Sequence, residues 1–314
     1  MAREIKKVAV IGCGFIGFGW ITVFARHGIE VNAFDSFAPS METVKDRVRD
    51  GLDFFVDEGV VKAEDIPAIM DRIKLCSSLE EAVADADYVQ ECIPENLELK
   101  QNLFRDVANL TDETVAIGSS CSGLQMADIA AKVTNHPERC IVSHPTNPPH
   151  IVAYMEIAGD TASDEVKQHI FDFMESIGQK PIICKEIYGY VLNRMQLAVQ
   201  KEALYMVQEG ICSVEAVERA ITDGVGMRWP FTGPLATEEL NSASIEEGMY
   251  KYKDYMMEFF TKEQKPLNDI SDELIAKVVA GVKPIMNGRT HDEYRLWRDQ
   301  MVTRTRLMKE NNPI

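Results

Sequence analysis

Through its first 187 residues the chain alternates short, mostly apolar runs with longer amphipathic stretches, and beyond them the spacing is helical. Residues 7–11 (Lys-Val-Ala-Val-Ile), 31–34, 86–91, 114–119, 140–143 and 181–184 belong to the first kind. Runs of this length, closed by glycine, serine or proline, read as strands buried on both faces, as in a parallel sheet covered by helices. Residues 18–27 carry helical spacing between the first two. Strand and helix in alternation predict an α/β fold. In residues 191–207 apolar positions recur at mixed spacings of three and four, ending at Gly210. Ser213 is placed to cap a second helix, and residues 246–260 and 271–286 read as two more. Two domains are expected, α/β over residues 1–187 and all-α over residues 188–314.

The first strand runs straight into Gly12-Cys-Gly-Phe-Ile-Gly17, and the second ends at Asp35. Strand, glycine turn, helix, strand and acid, in that order, make a Rossmann-type dinucleotide-binding unit. Gly12 permits the tight turn, Gly14 lets the backbone approach a pyrophosphate, and Gly17 lets helix and strand pack closely. The phosphates then meet a helix N-terminus, where N–H groups and the dipole favour negative charge. Asp35 is placed to accept from both ribose hydroxyls and would repel a 2'-phosphate. No arginine follows it in Ser36-Phe-Ala-Pro39, so NAD is expected as cofactor in preference to NADP.

Composition narrows the class. Apolar residues make up 46% and charged residues 26%, as in ordinary globular proteins. No apolar run approaches the ~18 residues of a membrane span. A net charge of −17 disfavours nucleic acid and anionic membranes as partners. The seven cysteines are scattered and form no CxxC pair. Reduced thiols, no metal site and a cytoplasmic location are therefore expected, and the N-terminus has no signal-peptide layout.

The candidate chemistry lies in Ser143-His-Pro-Thr-Asn-Pro-Pro-His150 and the apolar segment after it, which reaches Glu156. An imidazole in a proline-stiffened loop, with a carboxylate to orient it, is the pairing a proton-transfer site needs. Glu95, Ser122 and His144 all fall just past predicted strand ends. Ligands of open α/β sheets bind beyond those ends, so the three are expected to face one crevice.

The glycine turn, Asp35, Glu95-Asn-Leu-Glu-Leu-Lys100, Ser120-Cys-Ser-Gly123, His144-Pro-Thr-Asn-Pro148 and Gly189-Tyr-Val-Leu-Asn-Arg194 together resemble the 3-hydroxyacyl-CoA dehydrogenase superfamily. Gln90-Glu-Cys-Ile-Pro-Glu95, Gly224-Val-Gly-Met-Arg-Trp229 and Trp297-Arg-Asp299 resemble its lambda-crystallin and L-gulonate 3-dehydrogenase branch. The resemblance implies a dehydrogenase in which His144 takes the substrate 3-hydroxyl proton as hydride leaves for NAD. Glu156 would support His144, while Ser122 and Asn193 would bond the substrate oxygen or the histidine's surroundings. Glu95 and Lys100 would contact the nicotinamide-ribose side, with backbone N–H groups of Phe15 and Ile16 on the pyrophosphate. It also implies a homodimer through the C-terminal helices.

For the substrate, residues 38–72 carry nine acids against five bases, a poor cradle for a polyanion such as CoA. Arg228 is suited to hold a substrate carboxylate. A small free 3-hydroxy acid is therefore expected, with L-gulonate first. L-Carnitine is an alternative, since Tyr154, Trp229 and Phe231 offer aromatic faces for its ammonium. A 3-hydroxyacyl-CoA comes third, and a non-catalytic, crystallin-like NAD-binding protein is the reading from a different class.

Overall fold

The computed structural model describes residues 4–240, 242–263 and 269–311. Its strands are β1 (Lys7–Ile11), β2 (Glu30–Phe34), β3 (Ile73–Leu75), β4 (Tyr88–Glu91), β5 (Ala116–Ser119), β6 (Cys140–Pro145), β7 (Tyr154–Ala158) and β8 (Lys180–Ile183). They form one sheet in the order β3-β2-β1-β4-β5-β6-β7-β8. Every neighbouring pair is parallel except β6 with β7. The chain divides into one compact unit, Met1–Leu192, and a second, Asn193–Ile314.

In the first unit, helices α1 (Phe15–Arg26), α2 (Ala38–Asp57), α3 (Ile66–Asp71), α4 (Leu79–Val83), α5 (Leu97–Leu110), α6 (Met126–Ile129) and α7 (Asp164–Ser176) cover the sheet. The apolar runs explain its depth: Val8 to Ile11 of β1 and Gly17 to Ala25 of α1 are all buried. On one side Trp20 stacks on Phe24 at 5.3 Å, and Phe24 on Phe173 at 6.0 Å. On the other, Phe104 and Val107 of α5 pack with Ile117 and Met126.

The second unit is helical: most of α8 (Tyr190–Gln208), then α9 (Val214–Arg219), α10 (Pro234–Glu239), α11 (Ile245–Glu258), α12 (Asp272–Ile285) and α13 (His291–Asn311). Ser213 caps α9 as its sequence suggests, accepting from the Ala216 N–H at 3.2 Å. The division falls inside α8, a little beyond residue 187. The physical reason is that the first residues of α8 bond back into the first unit, as described below. Among the described residues, no helix is long and apolar enough to cross a membrane.

Candidate active site

Strand register brings the candidate residues to one edge of the sheet. Ile11 pairs with Phe34 and with Glu91, Glu91 with Ser119, and Ser119 with Val142. The carboxyl ends of β1, β2, β4 and β5 therefore lie level. The residues just past them are Gly12, Asp35, Cys92 and Ser120, and His144 stands two positions beyond Val142 on β6.

The glycine turn has the shape expected of it. Gly12 has φ +98°, and a Cβ there would sit 2.6 Å from the Cys92 carbonyl. A Cβ on Gly17 would collide with the Gly12 carbonyl oxygen. Gly14 is the contrast, because a Cβ there meets nothing within 4 Å. Gly14 is also the N-cap of α1 and supplies no side-chain cap to its first turn, which Phe15 and Ile16 open. Open space over an uncapped helix N-terminus suits a pyrophosphate. Asp35 accepts from the Cys13 N–H at 2.7 Å and the Phe37 N–H at 2.8 Å, so its carboxylate is fixed at the mouth of the turn. This chain's residues fit a dinucleotide, with Asp35 on the ribose side.

The His144–Glu156 pair is built by the antiparallel β6–β7 junction. In the β6–β7 ladder His144 stands directly opposite Glu156, which places both side chains on one face. His144 Nδ1 lies 2.8 Å from Glu156 Oε2, with His144 7% and Glu156 0% exposed. The other carboxylate oxygen, Oε1, accepts from the Val191 and Leu192 N–H groups at 2.9 and 2.8 Å and from the Tyr154 hydroxyl at 3.1 Å. Glu156 thus also caps the start of α8. Burial opposes its ionisation, but His144, the Leu192 N–H and Tyr154 outweigh it, and its pKa falls below the ordinary 4.5. An ionised carboxylate only accepts, so the His144 nitrogen facing it carries the proton. In the neutral ring Nε2 is then the free base. A depressed carboxyl stabilises the fold fully above its unfolded pKa, and that contribution is lost as pH falls through the depressed value.

The loop after β5 is folded around Glu95. Its Oε1 accepts from the Cys121 thiol at 3.1 Å and from the Gly123 N–H, and its Oε2 from the Ser122 N–H and hydroxyl at 3.4 and 3.3 Å. Burial alone would raise the Glu95 pKa, but these donors lower it. Glu95 and Ser122 are therefore brought together, with Glu95 itself exposed.

Lys100 sits differently from its expected place on the cofactor. It is 1% exposed, with Nζ 2.6 Å from Glu91 Oε1 and 3.2 Å from the Ile93 carbonyl. Glu91 also accepts from Ser119 Oγ at 2.5 Å and the Ile93 N–H at 2.6 Å. Burial pushes the Glu91 carboxyl up, against Lys100, Ser119 and Ile93. This pair braces the turn between β4 and α5 from beneath, because Lys100 lies on the inward face of α5. The sequence reading did not single out Glu91. It also missed the buried chain in which Tyr88 donates to Gln90 at 2.6 Å and Gln90 to Ser120 at 2.8 Å. Tyr154 and Tyr190 flank the His144–Glu156 pair, a placement that their positions in the sequence do not announce.

Asn193 and Arg228 belong to the second unit. Asn193 lies in the first turn of α8, directly after Leu192. Arg228 follows a turn at Val225–Met227, and its carbonyl accepts from the Phe231 and Thr232 N–H groups. Among the described residues no ion pair engages its guanidinium, and the residue is exposed.

Two family profiles match this chain: the 3-hydroxyacyl-CoA dehydrogenase NAD-binding domain over residues 7–187 and the C-terminal domain of the same enzymes over residues 189–291. The L-carnitine dehydrogenase of Oceanobacillus iheyensis is 34% identical over 304 residues, covering 96% of this chain and 97% of the relative. The lambda-crystallin homolog of Bos taurus is 35% identical over 315 residues, covering 98% and 96%. A solved NAD-dependent 5-formyl-3-hydroxy-2-methylpyridine 4-carboxylic acid 5-dehydrogenase superposes with a TM-score of 0.82 at 23% identity, over 99% of this chain and all of that one, a likeness of fold.

Proposed function

Since the chain belongs to the 3-hydroxyacyl-CoA dehydrogenase family and is an NAD-dependent oxidoreductase, we propose that it oxidises the 3-hydroxyl of a small L-3-hydroxy acid to the 3-keto acid, with L-carnitine as the first candidate. The observation that carries the reading is the His144–Glu156 pair at 2.8 Å, on the sheet edge that also bears the glycine turn. His144 Nε2 takes the hydroxyl proton, and the imidazolium that results faces an ionised Glu156 held by three further donors. Ser122, positioned by Glu95, and Asn193 bond the reacting oxygen, and Arg228 holds the substrate carboxylate. NAD, when bound, supplies the hydride acceptor. Gly12, Gly14, Phe15, Ile16, Gly17 and Asp35 hold it, with Lys100 supporting the neighbouring turn.

L-Gulonate, first in the sequence reading, moves to second place. Similarity to bacterial L-carnitine dehydrogenases over nearly the whole chain supports L-carnitine ahead of it. The acidic segment over residues 38–72 continues to speak against a CoA ester. NADH formation from L-carnitine, L-gulonate, L-3-hydroxybutyrate and L-3-hydroxybutyryl-CoA tests this. The expected kcat/KM favours L-carnitine by roughly tenfold or more, the scale of a cation–π contact to the quaternary ammonium that the other acids lack. Preference for the CoA ester contradicts the proposal.

A homodimer through the helical unit is part of the same reading. Met195 and Val199, one turn apart on α8, are exposed, as is Leu197, and exposed apolar side chains of this size suit an interface. Sedimentation equilibrium is expected to give twice the chain mass, and a monomer mass rejects the dimer.

A further inference from the structure

Tyr190 stands where three parts of the site meet. It is 2% exposed, and its ring centroid lies 5.5 Å from that of His144 with the planes 37° apart. Its hydroxyl donates to the Leu124 carbonyl at 3.3 Å, in the loop whose Ser122 and Gly123 hold Glu95. The Leu124 N–H in turn donates to the Cys121 sulfur at 3.1 Å, so the tyrosine is tied to the whole 121–124 turn. The backbone of Tyr190 has φ +46°, directly after Gly189 at +79°. A bulky residue holds that left-handed conformation only where its surroundings impose it. The two-residue turn aims the Val191 and Leu192 N–H groups at Glu156 Oε1. Packing alone accounts for a buried ring here. It does not account for a strained aromatic laid against the base, with a hydroxyl reaching across to the other arm of the site.

We propose that Tyr190 is a positioning residue for the reaction: its ring fixes the plane of the His144 imidazole, and its hydroxyl keeps the Ser122 loop in register with it. The inference rests on His144 being the base. Transfer of a hydride from C3 and a proton from its hydroxyl requires both arms to hold their spacing, and small displacements are costly.

The test compares kcat, KM, NADH affinity and melting temperature for Tyr190→Phe, Tyr190→Asn and His144→Gln. Phenylalanine keeps the ring and loses the hydroxyl, so kcat is expected to fall about fivefold, the scale of one net hydrogen bond. Asparagine tolerates the left-handed backbone but removes the ring, and kcat is expected to fall about a hundredfold with KM and NADH affinity little changed. Wild-type kcat in Tyr190→Asn, with His144→Gln inactive, overturns this inference alone. Wild-type kcat in His144→Gln overturns the assignment of the base and this inference with it. Should Tyr190→Asn fail to fold, Tyr190→Phe decides: a fall in kcat at unchanged KM and melting temperature supports the role, and an unchanged kcat rejects it.

Discussion

Substituting glutamine for His144 is expected to lower kcat by roughly 10²–10⁴-fold, the usual contribution of general-base catalysis. The loss follows from geometry. With Nδ1 engaged on Glu156, only Nε2 is left to accept a proton, and an amide has no basic nitrogen to replace it. The fold should survive. Glu156 retains the Val191 and Leu192 N–H groups and the Tyr154 hydroxyl as donors, so its buried carboxylate is not stranded. NADH affinity should also be unchanged, since the glycine turn lies on a different strand. Steady-state kinetics beside NADH titration checks both halves, and a variant that keeps its kcat removes His144 from the role of base.

The glycine turn carries the second large effect, and its second and third glycines are expected to fail in different ways. A methyl on Gly17 collides with the Gly12 carbonyl oxygen, so Gly17→Ala must push the helix off the strand or distort the turn. Such overpacking costs about 1–3 kcal/mol of stability. A methyl on Gly14 meets nothing within 4 Å in the protein, so Gly14→Ala should melt like the wild type. It projects instead into the space proposed for the pyrophosphate, and losing one charge-assisted contact there weakens NADH binding about ten- to a hundredfold. Melting curves and NADH titration separate the two. A Gly14→Ala protein that binds NADH normally contradicts the placement of the phosphates.

These features were legible in the sequence to different degrees, for physical reasons. The glycine turn and Asp35 are local: each follows from the backbone within a few residues of a strand end. His144 and Glu156 were readable as residue types. Their facing each other depends on the antiparallel β6–β7 register, which no short-range pattern announces. Lys100 shows the limit. The family resemblance implies a cofactor contact for it, whereas its partner Glu91 comes from the preceding strand through a contact invisible to helical periodicity. Tyr190 lies just before the helical pattern of residues 191–207 and is not marked out by it, because strain at φ +46° leaves no trace in composition. The three-residue strand β3 was too short to register as an apolar run. The last helix, α13, was passed over because its length is dominated by charged side chains.

The central claim is that hydride leaves C3 of a hydroxy acid for NAD as His144 takes the hydroxyl proton. The most direct measurement follows deuterium from the C3 position of L-carnitine, or of whichever acid in the panel has the highest kcat/KM. The wild-type enzyme is expected to deliver the label to the nicotinamide ring of the NADH formed, and His144→Gln to form labelled NADH roughly 10²–10⁴-fold more slowly. Label retained in the product acid or lost to water in the wild type, or labelled NADH formed as fast by the variant, contradicts the account.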